Sequence, residues 1–532
     1  MTFESAITHQ EEDGMFRVPG VTDIQAAAGE LGVELTTDEA AIYAEQLATQ
    51  LEDFDGFVQS REGLPVPPRH PGPRDPGHRP GPAEDSHNAW TWKCRIDGTE
   101  EGPLAGKTVS YKDHIAVAGI PMSFGAYALE GHLPDFDATV VQRVLEAGGV
   151  ITGKNVMNGL AGGFGFGGGV GDYGRPLNPH HQDHLSGGSS SGSAVALALG
   201  EVDISFGGDQ GGSIRIPASW SGTVGLKPTF GLVSHFGIGF GSDQSIDYTG
   251  PMTRTVADCA LALQATAGYD GLDPRQTKDV PDFYDATSRL DDGVEGLRIG
   301  ILTEGFADAT DAVKDSVQQA IDRLADLGAK ITEISVPQHA TIGLAQQAMS
   351  AEGALAVRGS GFYGAFTRTY YPESTIVAIT RLWQDHQDLL DPRALLTLLA
   401  GSYVRQQHGG RVYARAQNSR RFFIDAYDAA FAEVDLLAMP TTPTQAPRYQ
   451  PIPDRLEALR AALTGSVAFN AVANTRPFNF TGHPALAVPT AKRDGLPVSL
   501  QLVGPMFSDD LLLRAAQAYT QSVSFADHIA LN

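Results

Sequence analysis

The 532-residue sequence predicts an α/β fold with a largely covered sheet, preceded by a separate helical segment. Three observations carry this. Beyond about residue 84, short β-prone runs alternate with helix-compatible ones, the pattern of a sheet layered with helices. A helical periodicity over residues 36–58 is cut off from that region by residues 65–82, of which eight are proline. Hydrophobic residues make up 42% of the chain, enough for a sizeable core, and no internal repeat or other low-complexity tract interrupts it.

Thr36 and Glu39 stand at capping-box spacing at the start of the N-terminal helix. Tyr43, Leu47, Leu51, Phe54 and Val58 then recur at helical spacing and line one face. Such a stripe packs either on the chain's own core or against a second copy. Proline fixes φ and lacks an N–H, so residues 65–82 are expected as an extended linker. GKTVSYKD (106–113) reads as a strand. Asp137 is placed to cap a helix that runs through Glu146 and stops at Gly148 and Gly149. GVITG (149–153) is a strand, Ser193 to Leu199 a short apolar helix, and VDISFGG (202–208) a further strand. Residues 312–327 form an amphipathic helix with Val313, Val317, Ile321 and Leu324 on one face.

Lys and Arg number 38 against 63 Asp and Glu, a net charge of -25. That balance argues against a nucleic-acid partner, because phosphate binding needs local positive charge, and against docking on anionic lipid. It suits an Arg-favouring genome and ordinary solubility, or a salt-rich cytoplasm. No apolar run approaches the ~18 residues of a membrane span. The first residues carry acids and no Lys or Arg before Arg17, unlike a secretory signal, so a cytoplasmic protein is expected. Cys94 and Cys259 are the only cysteines, which leaves no disulfide framework and no multi-Cys metal site.

Four glycine or serine motifs compete for the chemistry. Gly148 to Asn155 nearly matches a phosphate-cradling loop ending in Lys154, but Asn155 replaces the magnesium-binding hydroxyl and the glycines precede a strand. Gly163, Gly165 and Gly168 fit a dinucleotide fingerprint without a framing strand–loop–helix unit. They read better as a pliable loop lining a pocket, with Phe164 and Phe166 as its apolar contacts. Gly188 to Gly192 fits a nucleophile elbow that would make Ser190 the nucleophile of an esterase, with His483 among the histidines available. The preceding residues, NPHHQDHL, are polar and form no strand leading into it.

The fourth pattern is a constellation: Lys112 ending a strand, GGSSSGS at 187–193, and GGDQGGSIRIP at 207–217. Glycines before Ser213 let the N–H groups of Gln210, Gly211, Gly212 and Ser213 gather around an oxyanion. A serine beside such a nest points to acyl transfer. The hydroxyl still needs a base and no His lies in these motifs; a lysine can serve if desolvation keeps it neutral, and a serine of GGSSSGS can relay the proton between Lys112 and Ser213. Asp209 and Arg215 flank the loop and brace it. Taken singly, each residue has a plainer structural role: an ion pair for Lys112, a helix cap for Ser189 to Ser191, a turn for Ser213.

Taken together, the three motifs resemble the amidase signature family of serine hydrolases. The resemblance continues through GLKPTFGLVS (225–234), DYTGPMTRTVAD (247–258), VDLLAMPTTP (434–443), FNFTGHPALAVPT and GLPVSLQLVG, from roughly residue 88 to the end. NAWTWK, Gln210 and GYDGLDPRQ (268–276) are similar to bacterial amidases that act after nitrile hydratases. The resemblance implies an amidase signature fold, a mixed central sheet covered by helices, divided as follows. An N-terminal helical domain at 1–64 and a linker at 65–84 precede a large domain at 85–305. A smaller helical or α+β insert at 306–435 and the rest of the large domain at 436–532 complete it. It implies Ser213 as nucleophile, Ser189 as the bridging residue with a cis peptide bond, Lys112 as base, and a pocket near Gly163, Phe164, Gly187 and Gly188. It implies a small-molecule amide substrate, no metal or other cofactor, and a homodimer through the N-terminal helices. The runner-up readings are a tRNA-dependent transamidase subunit, the Ser190 esterase, and a non-catalytic nucleotide-binding protein with Lys154 on phosphate. His114 stands where Asn commonly follows the Lys-Asp pair, and Ser191 where Gly is frequent.

Overall fold

The computed structural model describes residues 17–60, 66–161, 172–364, 367–389, 392–451, 454, 456–457, 460, 471–529 and 531. They form two compact units, Met1–Val66 and Pro67–Asn532. The first unit contains α1 (Val21–Glu30) and α2 (Thr37–Gln59). The capping box is present: Glu39 N–H donates to Thr36 Oγ1 at 3.3 Å and Thr36 N–H to Glu39 Oε2 at 2.9 Å. The predicted stripe is largely uncovered, with Tyr43 54% and Phe54 47% exposed and Ala40 the buried residue of α2.

The second unit is built on one mixed sheet. Its strands are β1 (Asp75–His78), β2 (Trp90–Asp97), β3 (Thr108–Lys112), β4 (Val150–Asn155), β5 (Ile204–Asp209) and β6 (Val224–Lys227). They continue with β7 (Tyr248–Thr253), β8 (Arg298–Leu302), β9 (Lys330–Ile334), β10 (Leu436–Pro440), β11 (Ala485–Arg493) and β12 (Leu496–Val503). The spatial order is β1-β2-β4-β3-β5-β7-β6-β11-β12-β10-β8-β9. β3 runs parallel to β4 and β5, and β8 parallel to β9 and β10; β5 with β7 and β11 with β12 are antiparallel. Most central strands are buried throughout, so they read as apolar or small-residue runs rather than alternating ones.

Helices α3 (Thr139–Glu146), α4 (Ser191–Ala198), α5 (Arg215–Ser221), α6 (Val256–Thr266) and α7 (Asp311–Asp326) follow the strands. α7 buries Val313, Val317, Ile321 and Leu324, the predicted face, in the main core. Four further helices, α8 (Ile342–Gly359), α9 (Glu373–Asp385), α10 (Pro392–His408) and α11 (Arg411–Glu433), form an excursion between β9 and β10. The chain closes with α12 (Arg476–Thr481), α13 (Asp509–Gln521) and α14 (Phe525–Ile529). No helix among the described residues is long and apolar enough to cross a membrane.

The proline run departs from expectation. From Pro67 on it belongs to the second unit, and Asp75–His78 pairs with β2 as the sheet's edge strand. Asp137 holds it there instead of capping α3, whose N-cap is Ala138 with no side-chain cap bond. The Asp137 carboxylate pairs with Arg74 at 2.5 Å, both side chains buried, and accepts from the N–H groups of His70 and Ala118, each at 2.8 Å. A buried carboxylate needs such compensation, and Arg74 supplies it.

Candidate active site

Lys112 is the last residue of β3, and β5 beside it delivers Gly207, Gly208 and Asp209. Two glycines in a central strand have a steric reason here. A Cβ at Gly208 would run into His114 Nε2, and one at Gly207 would lie 2.8 Å from Ser190 Oγ. Lys112 is fully buried; its Nζ lies 2.7 Å from Ser189 Oγ and 3.1 Å from the Gly208 carbonyl oxygen. Burial pulls its pKa from 10.5 to about 7, opposed by the Asp247 and Asp209 carboxylates. Asp113 does not take part in that balance: it forms a buried ion pair with Lys154 at 3.2 Å.

The Gly188–Ser189 peptide bond is cis. Ser190 N–H donates to the Ser213 carbonyl at 3.2 Å, so the two serine segments touch through their backbones. Ser213 sits after β5, just before α5, and its loop is braced as expected. Asp209 is fully buried and accepts from Gly212 N–H at 2.6 Å, Ile214 N–H at 3.1 Å, Arg215 Nε at 3.0 Å and Asn479 Nδ2 at 2.8 Å. Burial alone would raise its pKa; Arg215 and these donors hold it down at about 2. One member of the predicted nest is therefore corrected: Gly212 spends its N–H on Asp209. Its φ of 136° and the crowding of a Cβ there by Thr475 Oγ1 account for the glycine.

A cavity of about 290 Å³ opens beside Ser213, with Gln210 and Gly211 on its wall. Gln346 from α8 donates to the Gln210 carbonyl at 2.6 Å, and the Thr475 hydroxyl donates to the Gly211 carbonyl at 2.6 Å. Leu160, Phe240, Val357, Phe362 and Trp383 supply apolar surface. Gly187 and Gly188 are not on this wall; Gly187, at φ 83°, packs so closely that a Cβ would lie 2.5 Å from Pro217 Cα. Gly163 and Phe164 lie outside the described residues, as do the neighbouring Gly165, Phe166 and Gly168.

The competing motifs are placed elsewhere. Ser190 is buried off the cavity, its Oγ within 3.3 Å of both the N–H and the carbonyl of Gly208. His483 is buried against Thr481 at 2.9 Å and Asp428 at 3.3 Å. Lys154, on β4, is fully buried and paired with Asp113, which leaves it no reach to a phosphate. His114 is fully buried, and desolvation with Lys112 close by pushes its pKa well below 6.5, so it is neutral. Among the described residues no three His, Cys, Asp or Glu side chains converge to hold a metal ion.

Residues 83–513 match the sequence model of the family named Amidase. The chain belongs to the amidase family. This amidase-family enzyme is 37% identical over 455 residues to an enantioselective amidase of Rhodococcus rhodochrous, covering 84% of this chain and 85% of that protein. It is 35% identical over 437 residues to a glutamyl-tRNA(Gln) amidotransferase subunit of Haloarcula marismortui, covering 81% and 99%. The peptide amidase of Stenotrophomonas maltophilia superposes with a TM-score of 0.64 at 31% identity, over 79% of this chain and 83% of that one. The fold is the amidase signature fold of these structures. What the sequence does not disclose is the far wall of the amidase cavity. Gln346, Arg358, Trp383 and Arg476 come from helices more than a hundred residues beyond the motifs, and no local spacing marks them.

Proposed function

We propose that this enzyme hydrolyses a small-molecule carboxylic amide to the acid and ammonia or an amine, through Lys112, Ser189 and Ser213. The observation that carries this is Lys112 Nζ at 2.7 Å from Ser189 Oγ, with burial bringing the amine near neutrality at physiological pH. Neutral Lys112 takes the Ser189 hydroxyl proton as Ser189 takes that of Ser213. Ser213 Oγ forms a bond to the amide carbonyl carbon, and the carbonyl electrons move onto oxygen. With Gly212 committed to Asp209, the amides of Gln210, Gly211 and Ser213 are the ones assigned to that oxyanion. The C–N bond then breaks, the nitrogen taking the proton returned through Ser189. Water, deprotonated by the same pair, releases the acid from the acyl-enzyme. Cytoplasmic location and a homodimer through the first unit belong to the same reading; the exposed Tyr43 and Phe54 on α2 support the dimer.

A second reading, a transamidase subunit that liberates ammonia for a tRNA-bound acid, is supported by the 99% coverage of the Haloarcula marismortui protein. Residues 17–60, lying outside the 83–513 family match, favour the first. A fluorophosphonate probe followed by peptide mass analysis decides the chemistry: label is expected within 207–217. Label on Ser190 overturns the assignment, and activity on simple amides that emerges only with an added partner subunit favours the transamidase.

A further inference from the structure

Two successive peptides before Ser213 are each tied down by a side chain from a distant part of the chain. Gln346, on α8, donates through Nε2 to the Gln210 carbonyl at 2.6 Å, and the Thr475 hydroxyl donates to the Gly211 carbonyl at 2.6 Å. In a planar trans peptide the C=O and the following N–H point in opposite directions, so fixing one aims the other. The second peptide shows the effect: with the Gly211 carbonyl on Thr475, the Gly212 N–H reaches Asp209 at 2.6 Å. The first obeys the same rule. With the Gln210 carbonyl held by Gln346, the N–H of Gly211, a residue on the cavity wall beside Ser213, is turned the other way.

Packing alone does not call for glutamine at position 346. Ile342, Gln346, Met349 and Gly353 form a buried stripe of α8, and Gln346 is only 3% exposed. A buried amide costs stability unless it is hydrogen-bonded. Its orientation is fixed by chemistry: a carbonyl only accepts, so the nitrogen of the Gln346 amide faces Gln210. The side chain also lies over the loop, its Nε2 3.7 Å from where a Cβ at Gly211 would stand. Without that bond the Gln210–Gly211 peptide is free to turn over. Rotation changes ψ of Gln210 and φ of Gly211, and glycine accepts either sign of φ. A turned peptide presents a carbonyl oxygen, not an N–H, to the developing oxyanion.

We propose that Gln346 is a positioning residue for the reaction: by holding the Gln210 carbonyl it keeps the Gly211 N–H aimed at the substrate's carbonyl oxygen as negative charge builds there. This rests on the amidase reading above and adds to it a residue that acts through the loop rather than on the substrate. The oxyanion donor is then set by the excursion between β9 and β10 as much as by the glycine-rich loop itself.

The test uses the full-length enzyme with benzamide as a primary amide, and with phenylboronic acid, whose boron bonds Ser213 Oγ and places an oxygen in the oxyanion position. Gln346→Met keeps the length of the side chain and removes the donor. It is expected to lower kcat by about thirtyfold or more, to change KM by less than about threefold, and to weaken phenylboronic acid by a factor similar to that in kcat. Gln346→Leu, equally without a donor, is expected to match it and keeps the test open should one of the two fail to fold. Gln346→His, which keeps an N–H, retains more activity than either. If benzamide is not turned over, the rate of Ser213 labelling by a fluorophosphonate, whose phosphonyl oxygen takes the same position, stands in for kcat. A rate within about threefold of wild type in the variants without a donor overturns the proposal. So does a fall in rate that leaves phenylboronic acid binding unchanged, an equal loss in Gln346→His, or a loss that falls on KM alone. In each of these cases the amidase reading stands, because the wild type still reacts at Ser213. A wild type that neither hydrolyses benzamide nor takes the label at Ser213 overturns the amidase reading and this inference with it.

Discussion

Titrating the enzyme through neutrality perturbs one group above all, the Lys112 amine. With a pKa of about 7, half of it is neutral at pH 7. An ordinary lysine at about 10.5 is neutral in only about one molecule in 3000 at that pH. Burial thus gives back about three orders of magnitude of active base. The expected kcat/KM on a neutral amide rises tenfold per pH unit below about 7 and levels off above it. Asp247 is the stronger of the two opposing charges, so Asp247→Asn moves the acid limb to lower pH, by about one unit on the scale of a single buried charge. The same shift has a stability signature. The folded lysine is protonated less readily than the unfolded one, so the unfolded chain binds the extra proton between about pH 7 and 10.5. Stability therefore rises with pH across that window, and below it the buried charge costs about 5 kcal/mol. Lys112→Met removes that cost: the variant is inactive in both acylation and deacylation yet melts higher than wild type at pH 6. The assays are initial rates from pH 5.5 to 9 and thermal melts at both ends of that range. A flat rate profile through pH 6 to 9, a Lys112→Ala enzyme within tenfold of wild type, or a Lys112→Met that melts lower at pH 6 than at pH 9 relative to wild type refutes the reasoning.

Two other outcomes test the supports of the site. Gly212→Ala places a Cβ against Thr475 Oγ1 at a φ of 136°, a backbone state worth about 1–3 kcal/mol of strain, and should lower kcat by about a hundredfold or more; activity within threefold of wild type refutes the close approach. Light scattering of the full chain should give about twice the 56.4 kDa chain mass, and deletion of residues 1–64 should return it to one chain mass; a strictly monomeric full-length protein refutes the dimer.

The parts of this molecule that are legible in the sequence are those where one local rule dominates. α2 announces itself by a Thr-x-x-Glu box and a periodic face, and α7 by a face that the fold buries. Lys112, Ser189 and Ser213 are legible because their three motifs stand out together: Lys112 ends β3, Ser213 follows the glycines at the end of the neighbouring β5, and Ser189 lies in the glycine- and serine-rich turn that opens α4. Asp137 and the proline run escape a local reading for one reason. A capping propensity of about 1 kcal/mol yields to a buried ion pair, and the pairing partner, Arg74, lies 63 residues away with no local pattern to link the two. Gly212 escapes it because spacing shows which amides are near an oxyanion but not which of them a neighbouring carboxylate has already claimed. The cavity wall from α8, α9 and α10 is beyond reach, since helical segments without chemistry of their own carry no mark of what they face.

Among the described residues the twelve-stranded sheet is open and leaves two rims, and each rim is a template on which a stranger's backbone can grow. One rim is Asp75–His78, where Pro76 has no N–H to offer and the Arg74–Asp137 pair keeps the strand fastened to its own molecule. The other is β9, which turns Lys330, Thr332 and Glu333 to water, so that an incoming strand must strip charges before it can pair. In a chain this rich in buried, β-prone segments, such rims work against edge-to-edge pairing. A substitution that removed the prolines or neutralised β9 would surface first as insolubility, with the geometry around Ser213 untouched.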